Sequence, residues 1–176
     1  MSLNTMQVAA DAPTRPALRY HGGKKVLSEW IISNLPTDHD SYIESFGGSL
    51  AVLLNKPLSR LEICNDLDED GVNFFRVLRE REAELIRSIR WTPFAHAEQK
   101  LAYEPTDDPL ERARRFYVRS HMTISGPTAQ WNSGFRRQKK FSRGRNGYSR
   151  MKPAALSFME TEHLYQIAEG RRGVTL

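Results

Sequence analysis

Val26, Leu27, Trp30, Ile31 and Leu35 recur at helical spacing, and Pro36 ends the run, so a short amphipathic helix is predicted there. Ser41 to Phe46 (SYIESF) reads as a short strand and is followed at once by Gly47-Gly48-Ser49. An apolar run from Leu50 to Leu54 comes next, stands in the place of a helix and stops near Pro57. Leu61 to Cys64 (LEIC) forms a second strand that ends in Asn65-Asp66. Val72, Phe75, Leu78, Leu85, Ile86 and Ile89 then mark one long amphipathic helix with a charged outer face. Strand, glycine turn, helix, strand, acidic turn and helix is the βαβ order of a parallel sheet with covering helices, an α/β fold.

The second half follows another pattern. Thr92-Pro93 has the form of a helix cap with proline in the first turn, predicting a helix through Tyr103. Asp108-Pro109 repeats that signature ahead of LERARRFYVRSH, a further helix. From Ser125 to Lys152 no period is sustained, and the stretch reads as a long loop or irregular subdomain of the kind that usually carries function. Helical spacing returns over Pro153 to Ala168 (Leu156, Met159, Leu164, Ile167), and Gly173 to Leu176 begins another strand. The chain thus divides into an N-terminal arm (1–16), an α/β part (17–90), a helical and basic region (91–170) and the start of a further strand (171–176).

Composition narrows the class. With 39% hydrophobic and 27% charged residues in 176, the chain has a soluble globular makeup, and one domain's worth of core. No apolar stretch reaches the roughly 20 residues of a membrane helix, so no membrane role is expected. The first residues carry no secretory pattern, and the expected location is the cytoplasm. A lone cysteine, Cys64, excludes an internal disulfide, and the five scattered histidines have no zinc spacing, so no metal is expected. Charge is unevenly spread. Residues 1–111 hold 12 Lys/Arg against 18 Asp/Glu, whereas residues 112–152 hold 12 Lys/Arg and no acid. An acidic body with one basic segment points to a polyanion met at one place, nucleic acid above all; the alternative is a solvated basic face.

Two turns carry candidate chemistry. Gly47-Gly48 after the first strand exposes backbone N–H groups to a ligand, or is simply a tight turn. Asp66, about 20 residues on, stands where a carboxylate can accept bonds from both hydroxyls of a ribose; alternatively Asn65, Asp66 and Asp68 cap the next helix. Upstream, Tyr20-His21-Gly22-Gly23-Lys24 lacks Walker spacing but combines an aromatic, a flexible pair and a lysine able to fold over an aromatic ligand.

Together these pieces resemble the Dam-like family of DNA adenine methyltransferases. RYHGGK (19–24) is similar to the family's N-terminal cofactor motif, YIESFGGSLAVLLN (42–55) to its E-P-F-x-G-x-G motif, and CNDLDEDGVNFFRVLRE (64–80) to its acidic-loop segment and following helix. The resemblance covers residues 17–90 closely and 107–176 more loosely, where the family inserts its target-recognition segment. It implies a Rossmann-like methyltransferase sheet with covering helices, here incomplete, plus a helical or irregular DNA-recognition insertion. It further implies S-adenosylmethionine as cofactor, contacted by Tyr20, Gly22, Gly23, Lys24, Phe46, Gly47, Gly48 and Asp66, with Asp66 on the ribose and Lys24 near the methionine end. Double-stranded DNA would be faced by Arg19, Arg136, Arg137, Lys139, Lys140, Arg143 and Arg145. Ser45 stands where the family has proline, and Leu50 where it has the last glycine. The family's Asp-Pro-Pro-Tyr motif, which holds the flipped adenine, is absent from these residues, so no catalytic residue is assigned.

The expected activity is therefore methyl transfer to the exocyclic amino group of adenine, with this chain truncated and inactive alone. Self-association or a C-terminal complementing chain would then be needed. The alternative is a non-catalytic DNA-binding remnant or split subunit. A more distant one is an RNA-binding protein stacking bases on Trp131, Phe135, Phe141 and Tyr148.

Overall fold

Strands β1 (Ser41–Glu44) and β2 (Leu61–Cys64) pair in parallel, Ser41 opposite Leu61 and Glu44 opposite Cys64. In the computed structural model the described residues are 6–13, 15–124, 127, 134–136 and 161–170. The expectations for residues 1–5, for most of the basic segment, for the helix from Pro153 up to residue 160 and for the strand at 171–176 lie outside them. Helices α1 (Ser28–Ser33), α2 (Glu69–Glu80), α3 (Glu82–Arg90), α4 (His96–Leu101), α5 (Pro109–Met122) and α6 (Glu162–Gly170) complete the elements, with a 3-10 turn at Lys24–Val26. No helix among the described residues is long and apolar enough to cross a membrane.

Register decides the two faces of the pair. Tyr42, Glu44, Glu62 and Cys64 turn towards the core side, with Glu62 and Cys64 buried. Ile43 is 61% exposed and Leu61 41% exposed on the opposite face. Parallel sheets are ordinarily covered on both faces, so this apolar face stands uncovered among the described residues. The main core lies instead between α2 and α5, where Phe74 stacks on Tyr117 at 6.0 Å and meets Phe116 at 6.3 Å. Both helices begin on an aspartate cap. Asp68 accepts from the amides of Asp70 and Gly71, and Asp108 from those of Leu110 and Glu111, as expected for Asp108-Pro109.

Three element expectations are corrected. The long helix is two helices, because Arg81 (φ −134°, ψ 41°) breaks it. Continuing the apolar face of Phe75 and Leu78 needs an apolar residue at 81 or 82, and Arg81 and Glu82 stand there. The break re-aims Leu85, Ile86 and Ile89 into the core. Thr92 does not open a helix. Its hydroxyl donates to the Ser88 carbonyl at 2.8 Å, closing α3, and α4 starts later at His96. The run Leu50–Leu54 forms turns rather than a helix, with Leu54 N bonded to Leu50 O and Lys56 N to Val52 O. Leu50 has φ +53°, a left-handed conformation from which a right-handed helix cannot propagate.

Candidate cofactor cleft and nucleic-acid interface

The parallel ladder continues past both strands and brings the two turns together. Asn65 N donates to Glu44 O at 2.9 Å, and Gly47 N to Asn65 O at 2.9 Å. Gly48 N then donates to Asp66 Oδ2 at 2.6 Å, while Asp66 Oδ1 accepts from Asp68 N at 2.9 Å. Asp66 is therefore not a helix cap; that role falls to Asp68. A carboxylate offers about four acceptor positions, so Asp66 keeps capacity for a ligand's hydroxyls after both amides are satisfied. Gly48 has φ +51°, and a Cβ there would come within 3.1 Å of the Tyr20 ring, so this position requires glycine twice over.

The N-terminal motif folds onto the same turn. Gly22 takes φ +72°, Gly23 N donates to Tyr20 O at 3.1 Å, and a Cβ on Gly23 would stand 3.2 Å from Ser49 Oγ. Tyr20 lays its ring against Gly48 and donates its hydroxyl to Asp68 Oδ2 at 3.2 Å. Burial, with Asp68 and Asp66 beside it, pushes the Tyr20 phenol well above its usual range. Burial also raises the Asp68 carboxyl, against the opposing hydrogen bonds from Gly71, Tyr20 and Asp70. Lys24 is exposed and folds back to Gly22 O at 2.8 Å, and its charge reaches Glu44. Phe46 is 86% exposed and Leu67 89% exposed, one on each of the two facing turns. Glu44 is desolvated and raised by burial. It accepts from Leu53 N at 3.1 Å and so ties the Leu50–Leu54 turns to β1.

The space between the turns is small. Gly47, Gly48, Leu50, Asp66, Val72 and Phe75 are among the residues lining a cavity of about 10 Å³. Cys64 also lines it, and burial pushes its thiol up to about 11, which leaves it an inert wall residue. Leu50, in that lining, is 5% exposed.

A second cleft, of about 310 Å³, opens on the other side of Tyr20. Arg19 and Arg136 both line it, with Ser49 and Ser120, and no carboxylate is among the described lining residues. Arg19 N donates to Ser120 Oγ at 2.7 Å, which fastens the N-terminal motif to α5. Arg136 is held by its own amide on Met122 O at 2.7 Å, beside the Thr123–Phe135 bridge. Its Nε is buried without a hydrogen-bond partner, and burial together with Arg19 lowers its guanidinium.

The basic segment is not uniform, and its first four arginines, none of them among the residues expected to face DNA, pair with acids of the chain. Arg112 pairs with Asp70 and Glu69, Arg119 with Asp70, Arg114 with Glu98 and Glu111, and Arg115 with Glu111. Arg112, Arg114 and Arg119 tie α5 to acids of α2 and α4, whereas the Arg115 pair with Glu111 lies within α5. Arg137, Lys139, Lys140, Arg143 and Arg145 lie outside the described residues. Sequence reading missed Asp68, Glu44 and Ser120 as site residues. The alternating acids Asp66, Asp68 and Asp70 were the available signal for the first of these.

A parallel strand pair whose glycine turn and acidic turn meet at the strands' C-terminal ends defines the ligand edge of an open α/β protein. Comparison with known proteins narrows that class. A family model described as D12 class N6 adenine-specific DNA methyltransferase matches residues 20–143, and the chain belongs to that family. It is also similar to a protein of Haemophilus influenzae named DNA adenine methylase, 26% identical over 120 residues. That match covers 64% of this chain, and the chain spans only 42% of the relative's length.

Proposed function

We propose that these residues form the S-adenosylmethionine-binding and DNA-contacting part of an adenine-N6 methyltransferase, and that on their own they bind without transferring. One observation carries the cofactor reading: Gly48 N and Asp66 meet at 2.6 Å across the ends of the two parallel strands. Asp66 would accept from the ribose hydroxyls, with Gly47, Gly48 and Tyr20 as the wall, Phe46 on the base side and Lys24, beside Gly22 and Gly23, towards the methionine carboxylate. When bound, the cofactor supplies an electrophilic methyl group; the residues named here position and desolvate it. No Asp-Pro-Pro-Tyr segment occurs in these 176 residues, so the grip on the target amino group has to come from elsewhere.

Double-stranded DNA is the proposed substrate, met by Arg19 and Arg136 at their shared cleft and by Arg137, Lys139, Lys140, Arg143 and Arg145 of the same basic segment. A cytoplasmic location goes with that substrate. The exposed Ile43 and Leu61 support a complementing chain or a second copy covering the β1–β2 face.

Calorimetric titration with S-adenosylhomocysteine tests the cofactor reading. A hydrogen bond to a charged group contributes about 1.5–3 kcal/mol, so Asp66→Ala should weaken binding about 10- to 100-fold. Equal binding by Asp66→Ala would refute the assignment. Label incorporated into DNA by the pure protein would refute the claim that it does not transfer alone.

A further inference from the structure

We propose that Leu50 is a gate on the cofactor cleft, a side chain that occupies the base side of the cavity and sets the affinity for the nucleoside part of the ligand. The inference rests on the cofactor reading above and extends it to a residue that reading does not use. Leu50 stands at φ +53°, a conformation that leucine adopts only when its surroundings impose it. Its side chain crosses the glycine turn so closely that a Cβ on Gly47 would lie 2.5 Å from Leu50 Cδ2. From there it lines the same cavity as Asp66, Val72 and Phe75, whose volume is about 10 Å³. That volume is about one water-sized sphere, far below the roughly 300 Å³ of an ordinary ligand pocket. The polar groups that would hold a ribose are assembled around this cavity, Asp66 already braced by Gly48 N and Asp68 N. The site is thus chemically furnished but narrow, and among its lining residues Leu50 is the one that also reaches across the glycine turn.

Strain and occlusion have separate consequences. Leu50→Ala keeps the left-handed strain and removes the occluding atoms, whereas Leu50→Gly removes both. Titration of the full chain and both variants with S-adenosylhomocysteine, with thermal melting to establish folding, separates the two. The expected result is at least tenfold tighter binding in both variants, a gain that disappears when Asp66→Ala is added. A gain in Leu50→Gly alone would assign the effect to the backbone and overturn the gate. Binding by the unchanged protein as tight as by both variants would overturn it while leaving the cofactor reading intact. No binding by any of the three at millimolar ligand would remove the cofactor reading, and the gate with it. Should the variants not fold, leucine methyl NMR on the unchanged protein decides. Leu50 methyl signals must shift on addition of the ligand, and signals that stay in place while the ligand binds refute the gate.

Discussion

Removing the ammonium of Lys56, the buried partner of Glu62 in β2, should cost several times what an exposed charge deletion does. Lys56 is 0% exposed, and the Glu62 side chain facing it at 2.6 Å is 3% exposed. All three ammonium protons have acceptors: Glu62 Oε1 at 2.6 Å, Pro57 O at 2.8 Å and Ser59 Oγ at 2.8 Å. The cation also sits 4.7 Å from the centre of the Tyr42 ring. At that ion-pair distance the Coulomb attraction is about 6 kcal/mol for an effective dielectric near 20, and desolvation of two ions takes back most of it. The intact pair therefore contributes little net, but Lys56→Met strands a buried carboxylate, which costs about 3–5 kcal/mol. For a chain of this length that lowers the melting temperature by about 6–20 °C. The double variant Lys56→Met/Glu62→Leu removes both charges and should recover at least about 2 kcal/mol of the single variant's loss. Urea denaturation of all three proteins measures this. A loss below about 1 kcal/mol for Lys56→Met, or no recovery in the double variant, would refute the reasoning.

Further outcomes follow from the other contacts. Replacing Arg136, Arg137, Lys139 and Lys140 by Gln should flatten the log–log salt slope of DNA binding by about 3–4, at about 0.9 per phosphate, whereas Arg112→Gln/Arg119→Gln should change it by less than about 1 and lower stability instead; the reverse pattern in a salt titration refutes the division of the basic segment. His121 stacks on Tyr117 at 4.1 Å, and burial, with His163, Arg19 and Arg136 nearby, pushes its imidazole down to about 3. Its unfolded value is near 6.5, so the unfolded chain takes up a proton first and stability falls as pH drops below about 6.5, by at most about 1.4 kcal/mol per pH unit; His121→Asn should remove that slope from urea midpoints, while Glu44 and Asp68, raised by burial, contribute with the opposite sign in both proteins. Tyr20→Phe keeps the ring over Gly48 and loses only the bond to Asp68, so it should cost about 1 kcal/mol in denaturation and change ligand affinity less than threefold.

How much of this was legible in the sequence depends on the range of the determining contact. LEIC at 61–64 matches β2 residue for residue, and Asp108-Pro109 announces α5, because strand alternation and capping are local. The break at Arg81 was readable too, as a missing apolar residue in the face, once the phase is followed through position 82. Thr92 misled because its hydroxyl serves the preceding helix and Arg114, 22 residues away, a partner that no local rule supplies. Leu50 was legible as a departure from a glycine, but its place in one cavity wall with Asp66 and Phe75 was not, because those partners are distant in sequence. Charge counting failed for a similar reason. Four arginines that look unopposed in a window of 41 residues are neutralised by acids from earlier in the chain and from the first turn of α5 itself.

The acidic turn after β2 is where these distant partners converge. Asp66, Asp68 and Asp70 alternate along the chain, and each fastens a different segment. Asp66 holds the glycine turn through Gly48, and Asp68 holds the N-terminal motif through Tyr20 while capping α2. Asp70 holds α5 through Arg112 and Arg119. These bonds add to the backbone contacts already joining the same segments, Gly47 N to Asn65 O and Arg19 N to Ser120 Oγ, and unlike apolar contact they set an orientation. The carboxylates supply direction, and they do so from five consecutive residues. The small cleft between the two turns and the arginine-lined cleft therefore share one scaffold. A change at Asp70 should disturb both, although it lines neither.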